Sequence, residues 1–295
     1  MTATLKGLTA MATLSVSTIV LTLFLCLVAI VKLLAPSPAL RDRARLWLAG
    51  IAETWISINS TVLGWYRGTE WDIQIPEDLD EQGCYLVLCN HQSWVDIPIL
   101  QRSFNRKLPL LRFFLKSQLI WVPFLGLAWW ALDFPFMKRA SKDQIARKPS
   151  LKGRDLENAR KACEKFRDIP VAMMNFPEGT RFTQHKRDAS NSPYEHLLTP
   201  RIGGVGQVLY ALAEPLDGMI DVTISYAGNA AAPTLWELVT GRVSKIIVRA
   251  ELRVIPAELR GRNFREDPAF RQALQAWMGD IWREKDELIS RSKAS

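Results

Sequence analysis

The stretch CYLVLCNHQSWVDIP, residues 84–98, decides how this sequence is read. Its first half, CYLVLCN, is a short apolar run ending in turn residues, the pattern of a strand buried on both faces of a sheet. Its second half places one of only three histidines in the chain, His91, just past the end of that strand, with Asp96 five positions on. In open α/β sheets ligands bind at the edge where strands end.

The same texture recurs on the C-terminal side. RDLENARKACEKF (154–166) puts Leu156, Ala159, Cys163 and Phe166 on one helical face, and VAMMNF (171–176) then reads as the next buried strand, closed by Pro177. IDVTISY (220–226) and KIIVRAELRVI (245–255) supply two more strands, and FRQALQAWMGDIWREKDELI (270–289) closes the chain as an amphipathic helix. Strands alternating with helices imply an α/β fold, a mostly parallel sheet covered by helices on both faces. The chain of 295 residues is long enough for one sizeable domain plus an appendage.

The N-terminal side differs. No residue between Lys6 and Lys32 is charged, and residues 14–34 are rich in Leu, Val, Ile and Phe, enough to cross a hydrocarbon core that needs about 20 apolar residues. A signal peptide competes with this reading, but the run continues without a small-residue cleavage site into Arg41, Arg43 and Arg45, which suit a cytoplasmic stop. The next segment, residues 44–68, spaces Trp47, Leu48, Ile51, Trp55, Ile58, Val62 and Trp65 helically. Such a helix either packs on a soluble core or lies in a membrane interface, where Trp is enriched. The expected organisation is therefore a membrane-associated helical segment over residues 1–68 and an α/β domain over residues 69–295.

Four cysteines show no metal-ligand spacing and read as reduced thiols of a cytoplasm-facing domain. His185 and His196 likewise lack metal-site partners and read as surface residues. A net charge of +8 suits anionic lipid or phosphates; it also suits nucleic acid, a class the anchor argues against.

Two stretches carry candidate chemistry. Alone, His91 and Asp96 are weak, because Asp96 could simply cap a helix starting at Ile97. NFPEGTRFT (175–183) follows a strand with a turn rich in backbone donors, and Arg181 brings a planar fork that grips phosphate or carboxylate in two places; its plain alternative is a surface turn with an ion pair. A third stretch, residues 119–136, is almost wholly apolar and is either core or a wall for lipid chains.

Together, NHQSWVD and FPEGTR resemble the glycerolipid acyltransferase family, whose best-known members are the 1-acylglycerol-3-phosphate acyltransferases. The resemblance runs from about Tyr85 to Val254. KSQLIWVPFLG (116–126) is similar to a further block, FMKR ends in the arginine of the second motif, and LLTPRIGGV followed by IDVTISY is similar to the fourth block of the long-chain branch. Gln118 stands where that branch often has glutamate, so a carboxylate role there is absent.

The resemblance implies transfer of a fatty acyl group from a thioester, acyl-CoA or acyl-carrier protein, to the sn-2 hydroxyl of lysophosphatidic acid, giving phosphatidic acid without a cofactor or metal. His91 is then the general base, with Asp96 fixing its tautomer. Arg139 and Arg181 hold the acceptor phosphate; Gly179 and Thr180 offer backbone donors, and Glu178 shapes the turn. Ser93 lacks the G-x-S-x-G elbow of an acyl-serine hydrolase. The alternatives are the same chemistry on another lysophospholipid, such as lysophosphatidylglycerol or lysophosphatidylinositol, or a non-catalytic lipid-binding scaffold. The expected setting is an anionic membrane surface, with the catalytic domain on the cytoplasmic face of the inner membrane in a bacterium.

Overall fold

The computed structural model describes residues 3–65, 68–137, 147, 161, 163, 166–167, 169–228, 232–263 and 266–294. Arg139 and most of the helix expected over 154–166 lie outside the described residues.

Strand β2 (Cys84–Cys89), after the short β1 (Glu70–Gln74), is buried at every residue, as its unbroken apolar run requires. It sits inside a six-stranded sheet whose other members are β3 (Leu111–Phe113), β6 (Val171–Asn175), β7 (Gly218–Ala227) and β8 (Lys245–Arg253), in the order β1-β8-β7-β2-β6-β3. Strands β4 (Leu115–Lys116) and β5 (Phe136–Met137) form a separate pair. β2 runs parallel to β6 and β7, and β3 parallel to β6; β8 returns antiparallel to β7 and carries β1 parallel to itself. The expected α/β class holds, with two strands turned against the other four.

Side-chain alternation sorts the core into two layers. Cys84, Leu86 and Leu88 of β2 join Val171 and Met173 under helix α6 (Ile202–Ala211) and the long C-terminal helix α8 (Pro268–Ala294), which contributes Phe270, Leu274, Met278 and Trp282. Tyr85, Val87 and Cys89 face the other way, with Ile220, Val222 and Ile224, toward Ile99, Leu100 and Phe104 of helix α3 (Asp96–Phe104). Each fully buried Leu or Val contributes about 1.5–3 kcal/mol, and a one-residue slip of β2 would exchange both layers, so the register is strongly specified.

The N-terminal apolar run forms helix α1 (Ala3–Leu34), followed by α2 (Pro38–Gly64), which starts with Ser37 as cap and Pro38 in its first turn. The two helices pack on each other and on α4 (Leu125–Ala131) through Leu25, Ala29, Leu48, Ala52, Ala128 and Ala131. The α2 face differs from the tryptophan-based expectation. Ala44, Leu48, Ala52, Ile56, Asn59 and Val62 are buried, whereas Trp47 and Trp65 are about half exposed, at 51% and 48%. Alanines let helix axes approach closely, so Ala44 and Ala52 share the contact with Leu48 and Ile56, while Trp55 donates its indole N–H to Thr18 of α1 at 3.1 Å and only the two end tryptophans stay on the flank. At its other end α1 docks on the domain. Ala10 is fully buried, and a Cβ at Gly7 would come within 2.7 Å of Trp236 in α7 (Leu235–Val239).

α1 remains apolar where protein does not cover it: its 18-residue window has a mean hydropathy of 2.7 and is only 17% buried.

Candidate active site

The C-terminal ends of β2, β6 and β7 converge at one edge of the sheet, and the chain leaves each through polar residues. Asn90, directly after β2, is fully buried and acts as a side-chain rung of the ladder: its Nδ2 donates to the Ile224 carbonyl at 2.9 Å, and its Oδ1 accepts the Ile224 amide at 2.8 Å. That bracing fixes where His91 leaves the sheet.

Asp96 is the first residue of α3 and has no exposure. Its carboxylate does not cap the amides ahead of it but turns back over the preceding loop. Oδ2 accepts the Gln92 amide at 2.7 Å, the Ser93 amide at 2.9 Å and the His91 ring at Nδ1, 2.8 Å away. Oδ1 accepts the Tyr226 hydroxyl from the end of β7. Burial and the adjacent Asp96 carboxylate push the Tyr226 phenol well above its ordinary range, so it stays a donor. Since Asp96 only accepts, His91 Nδ1 carries the hydrogen and Nε2 presents a lone pair. The imidazole lies flat on Phe176 from the end of β6, centroids 4.0 Å apart and planes 19° apart, with its side chain 14% exposed.

Glu178 ties the two motif loops together. One oxygen accepts the His91 amide at 2.9 Å and the other the Leu198 amide at 2.9 Å, and the residue is 1% exposed. Burial pushes its carboxyl up to about 8, against the downward pull of the two amides. A second tie runs from the Phe182 amide to the His91 carbonyl at 2.7 Å. Glu178 is thus consumed in shaping the turn. Gly179 adopts φ +71°, a conformation glycine takes without strain, and its amide donates to the Phe176 carbonyl at 2.9 Å within the turn. The Thr180 and Arg181 amides make no hydrogen bond among the described residues. Arg181 is exposed, with its guanidinium stacked over the exposed Trp94 ring at 4.8 Å from the centroid.

Ser93 is buried, with its hydroxyl donating to the Pro233 carbonyl and accepting the Val95 amide at 3.2 Å. It is a structural knot in the loop. Asn90, Phe176 and Tyr226 lie in the quoted stretches, but nothing local gives them a role; Tyr226 lies 130 positions from Asp96, and no local pattern signals such a pair. His196, expected at the surface, has a side chain only 13% exposed, because α8 folds over it. His185 is exposed. No cluster of metal-ligand side chains occurs among the described residues.

An aromatic file leads away from His91. Phe176 stacks at 6.4 Å with Phe113, which stacks at 6.2 Å with Phe134. Phe134 borders a narrow apolar pocket of about 40 Å³ between α1, α2 and α4, whose walls include Leu21, Leu25, Ile56, Trp129 and Leu132.

Comparison with known proteins gives the same direction. A family model described as Acyltransferase matches residues 70–227. The 2-acyl-1-lysophosphatidylinositol acyltransferase of Saccharomyces cerevisiae is 26% identical over 242 residues, covering 70% of this chain and 60% of that protein. Lysocardiolipin acyltransferase 1 of Gallus gallus is 28% identical over 220 residues, covering 70% and 53%. The 1-acyl-sn-glycerol-3-phosphate acyltransferase 3 of Arabidopsis thaliana is 25% identical over 224 residues, also covering 70% and 53%. The matches thus span little more than half the length of these relatives. Among solved structures, the 1-acyl-sn-glycerophosphate (LPA) acyltransferase PlsC of Thermotoga maritima superposes with a TM-score of 0.52 over 93% of this chain and 97% of that one, at 16% identity, a likeness of fold.

Proposed function

The chain belongs to the acyltransferase family, and on that premise we propose that it moves a fatty acyl group from a thioester donor to the free sn-2 hydroxyl of a lysophospholipid, lysophosphatidic acid first among them. The observation that carries this reading is the 2.8 Å contact between His91 Nδ1 and the buried Asp96 carboxylate, which leaves Nε2 as a base. His91 takes the hydroxyl proton as the acceptor oxygen bonds to the thioester carbonyl carbon. The tetrahedral adduct collapses, the carbon–sulfur bond breaks, and the imidazolium returns its proton to the departing thiolate. No acyl-enzyme is needed, and the engaged hydroxyl of Ser93 agrees with direct transfer.

Arg181, with Arg139 as the second cation of the reading, takes the acceptor phosphate through its planar fork. The Thr180 and Arg181 amides are donors suited to the adduct's oxyanion or to that phosphate. The aromatic file and the apolar side chains around its pocket are chemically suited to contact the acyl chain. Acyl-CoA or an acyl-carrier protein serves as donor, and no cofactor is called for.

Membrane contact follows from what is left uncovered. Leu8, Val16, Leu23, Phe24, Leu27 and Leu34 of α1 are more than half exposed, and α4 beside it adds Leu127 and Trp130 at 50% and 45%. An apolar surface of this extent suits lipid, and the net charge of +8 suits an anionic, cytoplasm-facing leaflet.

The test is acceptor kinetics of Arg181→Ala. Losing a bidentate phosphate partner of about 1.5–3 kcal/mol corresponds to a roughly ten- to hundredfold fall in kcat/KM for lysophosphatidic acid, chiefly as a raised KM. The loss is expected to be several-fold smaller with zwitterionic lysophosphatidylcholine. Equal losses on both acceptors would remove the phosphatidic acid assignment.

A further inference from the structure

A second, polar cavity of about 670 Å³ opens on the other side of the motif loops, lined by Gln92, Arg181, Lys186, His196, Tyr226 and Lys293. His91 does not line it, but Gln92 and Arg181 do, so its contents lie next to the reacting centre without touching the base. Three cations face it against one carboxylate, that of Glu195. A cavity of this size and charge takes an extended anionic group rather than an acyl chain.

The cations are held in place. Lys186 Nζ donates to Thr180 Oγ1 at 2.8 Å and to the Arg181 carbonyl at 2.9 Å, which pins it to the motif turn. The far wall is built by α8. Asp286 accepts the backbone amides of Glu195 at 2.8 Å and His196 at 2.7 Å, fixing the turn that carries the histidine. Lys293, seven residues or two helical turns further along the same face, places Nζ 3.2 Å from His196 Nδ1. Burial and Lys293 lower the His196 pKa, so the ring is neutral and accepts from the lysine. Helix α8 is itself clamped to β7, with Lys285 Nζ on the Val222 carbonyl at 2.5 Å and Ser292 Oγ on Ser225 Oγ at 2.7 Å.

We propose that this cavity is a phosphate subsite in which Lys186, His196 and Lys293 receive a phosphate other than the one assigned to Arg181. The proposal rests on the acyltransferase reading for its two sources. The phosphate belongs either to the nucleotide part of an acyl-CoA donor or to a second phosphate in the acceptor headgroup. In both cases the C-terminal helix, remote in sequence from both motifs, selects the substrate.

Equilibrium titration of the purified full chain with acyl-free ligands tests this without requiring turnover. The ligands are coenzyme A against pantetheine for the donor, and bis(glycerophospho)glycerol against glycerol 3-phosphate for the acceptor. Lys293→Met is expected to weaken binding of one phosphorylated ligand about three- to tenfold, and Lys293→Arg to weaken it less, since arginine keeps the charge. An effect on coenzyme A that is absent with pantetheine assigns the donor. An effect on the bisphosphate that is absent with glycerol 3-phosphate assigns the headgroup. No measurable binding of either phosphorylated ligand, or equal losses with and without the extra phosphate, overturns the proposal. Because binding is read directly, a protein that binds these ligands yet acylates no lysophospholipid would sink the acyltransfer reading and leave the subsite standing.

Discussion

Asp96 and Asp221 are two buried carboxylates, 0% and 6% exposed, and they are satisfied in opposite ways. Asp96 is surrounded by neutral donors, two backbone amides, a phenol and an imidazole, three of them within five residues in sequence. Asp221 meets cations from distant elements: Lys285 of α8, 1% exposed, and Arg253 of β8, whose Nε lies 3.0 Å from its Oδ2. These are ion pairs rather than aligned hydrogen bonds, since Asp221 Oδ1 and Arg253 Nε find no partner in hydrogen-bond geometry. Lys285 completes its set with the Val222 carbonyl and Thr223 Oγ1 at 3.3 Å. The difference separates reactivity from cohesion. A carboxylate neutralised by a fixed cation has little left to offer a histidine, whereas one held by neutral dipoles keeps its charge to stabilise an imidazolium.

The largest effect is expected where that charge is used. His91→Ala removes the base, and Asp96→Asn offers an amide that can hold the wrong tautomer, so turnover by the folded protein should fall about 10²–10⁴-fold. Near-normal turnover of either variant would erase the distinction between the two carboxylates.

Next comes the clasp. Lys285→Met leaves Asp221 with one cation fewer in a buried site, and breaking such a pair costs about 3–5 kcal/mol, read from denaturant unfolding. Adding Asp221→Asn should recover part of that loss, because the uncompensated charge is then gone. A single variant as stable as the parent, or a double variant no better than the single, would show that α8 is held by packing alone.

Glu178 gives the smallest effect and sharpens the comparison, because it has amide donors like Asp96 but no histidine. Its folded pKa, about 8, stands above the ordinary 4.5. The stability it contributes is therefore fully present below about pH 4.5 and is lost as pH rises through about 8. Over pH 5 to 8.5 the thermal midpoint should decline by the equivalent of about 1–3 kcal/mol, and Glu178→Gln should flatten the slope. An unchanged slope in Glu178→Gln would mean another group sets it.

The same contrast explains what could be read in advance. The strands were legible because CYLVLC, VAMMN and IDVTISY are apolar runs of the right length, and both layers of the core follow from their alternation. The antiparallel return of β8 and the small strands β1, β3, β4 and β5 were not, since two- to five-residue segments carry little pattern and pairing direction is a property of the assembled sheet. The α2 face was legible at Leu48 and Val62 but not at its buried alanines, Ala44 and Ala52, because tryptophans outweigh alanines in any hydropathy pattern while close helix packing rewards the alanines.

The sequence by itself determined the buried strands and the apolar N-terminal helix, because both are written in local runs of apolar residues; it set His91 and Asp96 in one short loop after a strand without deciding between a paired carboxylate and a helix cap. Only the tertiary structure decided that Asp96 pairs with the His91 ring, that Tyr226 completes the Asp96 shell, that Glu178 is used up between the His91 and Leu198 amides, and that Lys293 meets His196 in the wall of a cavity. All but the first of those contacts join residues 20 to 130 positions apart. Their partners are selected by where the ends of β2, β6 and β7 and the face of α8 come to rest, which depends on packing the whole sheet rather than on any local pattern.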